Sequence, residues 1–158
     1  YQEGQGGIVD ALKIAMPFFS DREPCMVILG DNYFEKEVSN HVLSWDQTGA
    51  KVFLKKVGNP QDFGVALLSK GGEITEIEEK PEQPRSDFAI LGCYLFDSSV
   101  WDFVEQVELS KRKELEIVDV LKMYLEHGRI TYSVYSDYWN DMGTFKSLNK
   151  VAQRIAEL

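Results

Sequence analysis

Thiol and imidazole groups are scarce in this chain, which holds two cysteines and two histidines in 158 residues. Cys25 and Cys93 stand inside apolar runs, with no CxxC spacing and no Cys/His cluster, which excludes a zinc knuckle and a thioredoxin-type motif. Both are expected to be reduced core residues, because a free thiol packs like a small hydrophobe. A cytoplasmic location follows. His41 falls on a predicted helix and His127 in a helix-terminal turn, and neither has a serine or cysteine nucleophile pattern nearby, so both are assigned to structure. Long apolar runs are missing as well: none approaches the length of a membrane span. Positive charge is in deficit, with 17 basic against 26 acidic residues and a net charge of −9. That balance argues against a nucleic-acid polymer as partner, but it leaves room for a nucleotide held by a few local cations or a metal. The stretch GQGG at 4–7 matches neither the Walker Lys-Ser/Thr pattern nor GxGxxG. No repeat, low-complexity tract or linker divides the chain, so residues 1–158 are read as one domain.

What is present is 44% apolar and 27% charged residues, the composition of an ordinary globular domain. Ile8, Ala11, Leu12, Ala15 and Phe19 recur at helical spacing, with Pro17 set to disturb the last turn. CMVIL at 25–29 reads as a strand buried on both faces. EVSNHVLSW reads as a helix with Val38, Val42 and Trp45 inward, and AKVFLKKV as the next strand. This helix–strand alternation predicts parallel strands joined by crossover helices. FGVALLS, KGG and EITEIEEK predict a hairpin, although Ile74 and Ile77 do not alternate. FAILGCYLF is a third buried strand interrupted at Gly92, where a backbone or ligand comes close. EIVDVLKMYLEHG is a helix with Ile117, Val120, Leu121, Tyr124 and Leu125 on one face and Gly128 at C′. RITYSVYS is a strand, DYWNDMGTF a loop, and KSLNKVAQRIAEL a closing helix with Leu148, Val151, Ala152 and Ile155 inward.

The apolar run at 25–29 gives way at Gly30 to Asp31 and Asn32. A carboxylate at the C-terminal tip of a strand is where open α/β sheets hold ligands, and Mg²⁺ is satisfied by one or two carboxylates plus water and phosphate oxygens. Asp141 in YWNDMGT is the candidate second carboxylate. Spacing alone does not bring the two together, and either residue serves equally as a turn former. In EEKP, Lys80 precedes a proline and is expected to be extended, presenting its ammonium as a point charge for phosphate. A solvated strand end is the alternative. Tyr132, Tyr135, Tyr138 and Trp139 suit packing or base stacking.

Taken in order, YQEGQGGIVDAL, VILGDNYF, DFGVALL, EIEEKPEQPRSDFAILGCYLFD, KELEIVDVLKMYLEHG and YWNDMGTFKSL resemble the sugar-1-phosphate nucleotidylyltransferases, the glucose-1-phosphate thymidylyltransferase branch above all. The resemblance covers nearly the whole chain. It implies a Rossmann-like, GT-A-like α/β fold with a mixed sheet flanked by helices. It also implies Mg²⁺-dependent transfer of a nucleoside monophosphate from dTTP or UTP to glucose 1-phosphate, giving a nucleotide sugar and pyrophosphate. By that resemblance Asp31 and Asp141 hold Mg²⁺, Lys80 binds the sugar phosphate and Glu79 a sugar hydroxyl. Gln2 and Gly7 hold the nucleobase, Gly64 and Gly92 line the sugar pocket, and Trp139 forms a wall. Glu116 is a further sugar contact, with Glu114 competing for that alignment. Phe63 stands where relatives often carry tyrosine. The family's N-terminal strand and GGxGTRLxPxT-type loop match nothing here. The chain by itself is therefore expected to be inactive, and either to self-associate through the uncovered edge of CMVILG or to be incompletely ordered near Tyr1 to Gly7. A non-catalytic regulatory or sugar-nucleotide-sensing module is the alternative.

Overall fold

One long strand organises the molecule. The computed structural model describes residues 2, 6–19, 21–110 and 112–158, so of the stretch expected to be loosely ordered, Tyr1, Glu3, Gly4 and Gln5 lie outside the described residues. In chain order the elements are α1 (Ile8–Ala15), β1 (Cys25–Ile28), β2 (Asn32–Phe34), α2 (Ser39–Leu43), β3 (Ala50–Lys56), β4 (Gly64–Leu68) and β5 (Ile74–Glu79). There follow β6 (Phe88–Phe96), α3 (Val100–Gln106), α4 (Ile117–Glu126), β7 (Ile130–Val134), β8 (Trp139–Asp141) and α5 (Phe145–Ala156). The nine residues of β6 are buried except for the first, and they alternate between two cores. Ile90, Tyr94 and Phe96 face the cluster covered by α1, α3 and α4. Leu91, Cys93 and Leu95 face a smaller cluster with Phe53, Tyr135 and Trp139, as the two-residue period of a strand dictates.

Six strands form the main sheet among the described residues, in the order β5-β4-β6-β3-β7, with β1 also on β6. The expected parallel arrangement is only partly present. β3 and β7 are parallel, whereas β6 runs antiparallel to both β1 and β3. β1 and β3 therefore point the same way, as a helical crossover requires, but with an antiparallel strand inserted between them. The sheet is mixed and flanked by helices.

Several local expectations change for physical reasons. β1 is not buried on both faces: Met26 is 41% and Ile28 53% exposed, because β1 pairs only with β6 and its other edge has no strand among the described residues. An uncovered apolar edge of this kind recruits another strand. The chain alone is accordingly expected to elute above its monomer mass in size-exclusion chromatography at micromolar concentration; strictly monomeric behaviour would contradict this. Ile74 and Ile77 are both buried because the β4–β5 ladder slips between Leu67 and Leu68, leaving Thr75 as the extra residue. Pro17 ends α1, and the chain continues as a 3-10 turn over Met16–Phe18. The predicted DYWNDMGTF loop contains β8, which pairs with β2. Of the four α5 residues expected inward only Val151 is buried, and Ile155 is half exposed. α3 was not anticipated, although it buries Val100, Trp101, Phe103 and Val104. Both cysteines are buried free thiols, and burial pushes their pKa values up to about 11 and about 12. No helix among the described residues is long and apolar enough to cross a membrane.

Candidate active site

The site lies where one edge of β6 runs without a strand beside it. One edge of β6 is taken along its length by β3. The opposite edge is shared by two strands: β1 covers Cys93 to Phe96, and β4 reaches only Ala89. Ile90 and Leu91 are left without a strand partner between them, and Gly92 is met only at its carbonyl, which accepts from Leu29 N–H at 2.9 Å. The ladder to β3 also slips here, since Val52 opposes Tyr94 and Leu54 opposes Ile90. Gly92 thus marks an interruption, as its sequence suggests. Its N–H, with no strand to receive it, donates to Asn32 Oδ1 at 3.0 Å.

Asn32 enters this gap because β1 ends at Ile28 and the chain turns through Gly30 and Asp31 into β2. In the short β2–β8 ladder Asn32 stands opposite Asp141 and Phe34 opposite Trp139. Met142 N–H closes the turn by donating to the Asp31 carbonyl at 2.6 Å. Two carboxylates that are 110 positions apart in sequence thereby meet. Asp31 Oδ2 and Asp141 Oδ1 each lie 3.8 Å from the point where a Cβ on Gly143 would stand. Asp141 Oδ1 also accepts a 3.3 Å hydrogen bond from Gly143 N–H. No third acidic, histidine or cysteine residue joins them among the described residues. A pair of hard oxygen donors with space beside it fits Mg²⁺, which keeps water and phosphate oxygens in its shell, better than Ca²⁺ or Zn²⁺.

Both carboxylates line a cleft of roughly 210 Å³ together with Lys80, Glu79, Gly64 and Trp139. Trp139 is buried, packs edge-on against Phe63 with ring centroids 5.5 Å apart, and donates its indole N–H to Asn32 Oδ1 at 2.9 Å. Gly64 keeps a tight spot clear: a Cβ there would sit 3.0 Å from Val118 and 3.3 Å from Glu79 Oε2, so both side chains would have to give by a few tenths of an ångström. Lys80 departs from expectation. Its φ is +41°, not extended, because its N–H is tied to the Phe63 carbonyl at 3.0 Å just as the β4–β5 pair closes and the chain must turn away. Left-handed backbone in a non-glycine residue costs free energy and recurs at functional sites.

The far wall is acidic. Glu79, Glu114 and Glu116 all line the cleft, so the two glutamates that compete in sequence both reach it. Glu116 is buried at the start of α4 and accepts a hydrogen bond from Ser110 at 3.1 Å. Arg112 bridges the wall, with contacts of 3.2 Å to Glu79, 3.6 Å to Glu114 and 3.8 Å to Glu116. Sequence reasoning passed over Arg112, which sits in an irregular segment with no motif of its own. Burial, and next the charge of Glu116, hold the Glu79 carboxyl above its ordinary range, against the pull of Lys80 and Arg112. The folded state therefore keeps the Glu79 proton to higher pH than the unfolded chain does. The stability this confers is complete below the ordinary value of 4.5 and is lost as pH rises through the folded-state value. Glu79→Gln is expected to raise the thermal midpoint at neutral pH, with the advantage vanishing below about pH 4. A variant less stable than the parent at pH 7 would contradict this.

Gln2 is not brought into the carboxylate cleft. Its amide donates to the Gly7 carbonyl at 3.0 Å and to Asp10 at 2.8 Å, and it lines an adjoining apolar cavity of roughly 700 Å³ between α1 and β1. The two cavities share Gly7, Ile8, Leu29 and Glu114. Gly7 has φ +87°, and a Cβ there would lie 2.6 Å from the Leu115 carbonyl oxygen.

Comparison with known proteins agrees with this architecture. A family model described as nucleotidyl transferase matches residues 1–157. Glucose-1-phosphate thymidylyltransferase of Neisseria meningitidis serogroup A is 37% identical, the match covering 98% of this chain and 55% of that protein. The low-salt glycan biosynthesis nucleotidyltransferase of Haloferax volcanii is 35% identical over 96% of this chain and 43% of its own. The chain thus spans about half the length of these curated relatives. A Bacillus anthracis protein solved with sucrose, provisionally assigned as a glucose-1-phosphate thymidylyltransferase, superposes with a TM-score of 0.89 at 38% identity. That superposition covers 99% of this chain and 64% of that one. A UDP-glucose pyrophosphorylase bound to UDP-glucose has a TM-score of 0.83 at 20% identity and shares the fold. On the match across residues 1–157, and with the fold in accord, this chain belongs to the nucleotidyl transferase family.

Proposed function

We propose that this chain carries the sugar-phosphate and metal half of an enzyme that transfers a nucleoside monophosphate from dTTP or UTP to glucose 1-phosphate. The observation that carries the reading is the turn from β1 into the β2–β8 ladder, where Asn32 stands opposite Asp141, so that Asp31 and Asp141 line one cleft that also holds Lys80. A phosphate oxygen of the sugar phosphate attacks the α-phosphorus of the nucleotide, the bond from that phosphorus to the bridging oxygen breaks, and pyrophosphate leaves with the electron pair. No covalent enzyme intermediate is needed. The protein contributes orientation and charge compensation.

Asp31 and Asp141 would hold Mg²⁺, which when bound offsets the negative charge of the phosphates and favours in-line geometry. Lys80 neutralises the sugar phosphate and, fixed by its strained backbone, holds it for attack. Glu79, with Glu116 behind it, accepts hydrogen bonds from sugar hydroxyls. Trp139 and Phe63 give the ring an apolar wall, and Gly64 keeps the floor clear. The apolar cavity beside Gln2 and Gly7 is of a size to receive the base.

Lys80→Ala in a polypeptide carrying the family's glycine-rich segment tests the division of labour. A charge-assisted contact to phosphate is worth roughly 1.5–3 kcal/mol, so affinity for glucose 1-phosphate is expected to fall about tenfold to a hundredfold while affinity for dTTP changes little. Calorimetric titration of both ligands measures this. Equal losses for the two would place the lysine on shared phosphate binding or on folding. Turnover of no sugar phosphate by a polypeptide carrying the family's glycine-rich segment would favour a regulatory module.

A further inference from the structure

We propose that Asn32 is a positioning residue for the metal carboxylate Asp31, and that Gly92 is glycine to make room for Asn32. The inference rests on the reading that Asp31 and Asp141 bind a divalent cation. The orientation of the Asn32 amide is fixed by its neighbours. Gly92 N–H and Trp139 Nε1–H both point at one amide atom, at 3.0 and 2.9 Å. Both groups are donors only, so that atom is the oxygen. The amide nitrogen must then face Asp31, and it donates to Asp31 Oδ1 at 2.9 Å. One oxygen of Asp31 is thereby occupied, and the other, Oδ2, is turned to the space by Gly143 that Asp141 Oδ1 also faces. The carboxylate is oriented to offer a single oxygen, which suits the tight octahedral shell of Mg²⁺.

Gly92 completes the device. A Cβ on Gly92 would lie 2.7 Å from the Asn32 Cγ, Nδ2 and Oδ1 atoms alike, closer than any side chain tolerates, and would push the whole amide aside. By the resemblance alone, Gly92 spares space for the sugar. By the geometry, it spares space for the side chain that aims the metal ligand. Asn32 also joins the pocket wall to the metal, because its oxygen accepts from the Trp139 indole.

Direct Mn²⁺ titration of the 158-residue chain, with free ion read by electron paramagnetic resonance and thermal midpoints as the folding control, tests the inference without any need for turnover. Asn32→Ala and Gly92→Ala should each weaken Mn²⁺ binding, by roughly tenfold to a hundredfold as is usual for groups that orient metal ligands. The double variant should bind no more weakly than the poorer single one, because both changes act through the same amide. Trp139→Phe, which removes the N–H but also core volume, should give a smaller loss in the same direction, measured at a temperature well below its own thermal midpoint. Wild-type binding matched by all three single variants would overturn the proposal while leaving the metal site standing. A Gly92→Ala variant with weaker glucose 1-phosphate binding and unaltered Mn²⁺ binding would also overturn it. A wild-type chain that takes up no Mn²⁺ would overturn the metal reading, and this inference with it.

Discussion

Asp141→Asn in a polypeptide carrying the family's glycine-rich segment should lower nucleotide-sugar synthesis about a thousandfold, the rate equivalent of several kcal/mol of metal-derived charge stabilisation. Its thermal midpoint should stay within a few degrees of the parent's or rise. The two effects separate because of what Asp141 touches. Its carboxylate is half-buried, and the hydrogen bond it accepts from Gly143 N–H is long, at 3.3 Å. It also shares its space with the like charge of Asp31. An isosteric amide keeps the turn and removes the repulsion, so folding loses little, while the amide cannot supply a second anionic ligand. Turnover at saturating substrate and a melting curve on the same preparation decide the matter. Near-normal turnover with a collapsed midpoint would make Asp141 a structural turn residue.

The largest expected stability effect lies away from the cleft, at the C-terminal end of β6. Asp97 is 5% exposed and gathers four partners. It accepts from Gly49 N–H at 2.7 Å, Ser99 N–H at 3.0 Å and the Tyr124 hydroxyl at 2.9 Å, and it pairs with Arg129. Gly49 approaches so closely, with φ +65°, that a Cβ there would lie 2.2 Å from the Arg129 carbonyl oxygen. Removing the acceptor strands buried donors and leaves a cation unpaired, at a cost of about 3–5 kcal/mol. Arg129 is partly solvated, which argues for the lower half of that range. Asp97→Ala should therefore shift the urea midpoint markedly; a loss under about 1 kcal/mol would show that water or rearranged neighbours satisfy the cluster.

How far the sequence foretold this structure depends on which force places each residue. Helix α4 was legible because Ile117, Val120, Leu121 and Tyr124 repeat at helical spacing and bury one face. The β4–β5 hairpin was legible from its glycine turn, and the bulge at Thr75 explains why Ile74 and Ile77 broke the alternation. What local pattern cannot state is pairing. β2 and β8 are three residues each, too short for a period, and they exist as strands only because each completes the other. For that reason the WND stretch read as loop, and Asp31 and Asp141 could be joined only through resemblance to a family. Asn32 and Arg112 were missed as members of the site for a related reason. Their roles come from what tertiary structure sets beside them, an open edge at Gly92 for the first and three glutamates for the second. Lys80 reversed a sound rule, since a residue before proline prefers extended backbone, yet the closing hairpin holds it at φ +41°.

Asp31 and Asp141 are proposed to share one divalent ion in the cleft that Lys80 also lines. Anomalous diffraction from crystals soaked with Mn²⁺ and glucose 1-phosphate tests this most directly. A single strong peak is expected, with one oxygen of each carboxylate about 2.1 Å away and a phosphate oxygen and waters in the rest of the shell. A bound Mn²⁺ that touches neither aspartate, with the sugar phosphate seated elsewhere, would contradict it.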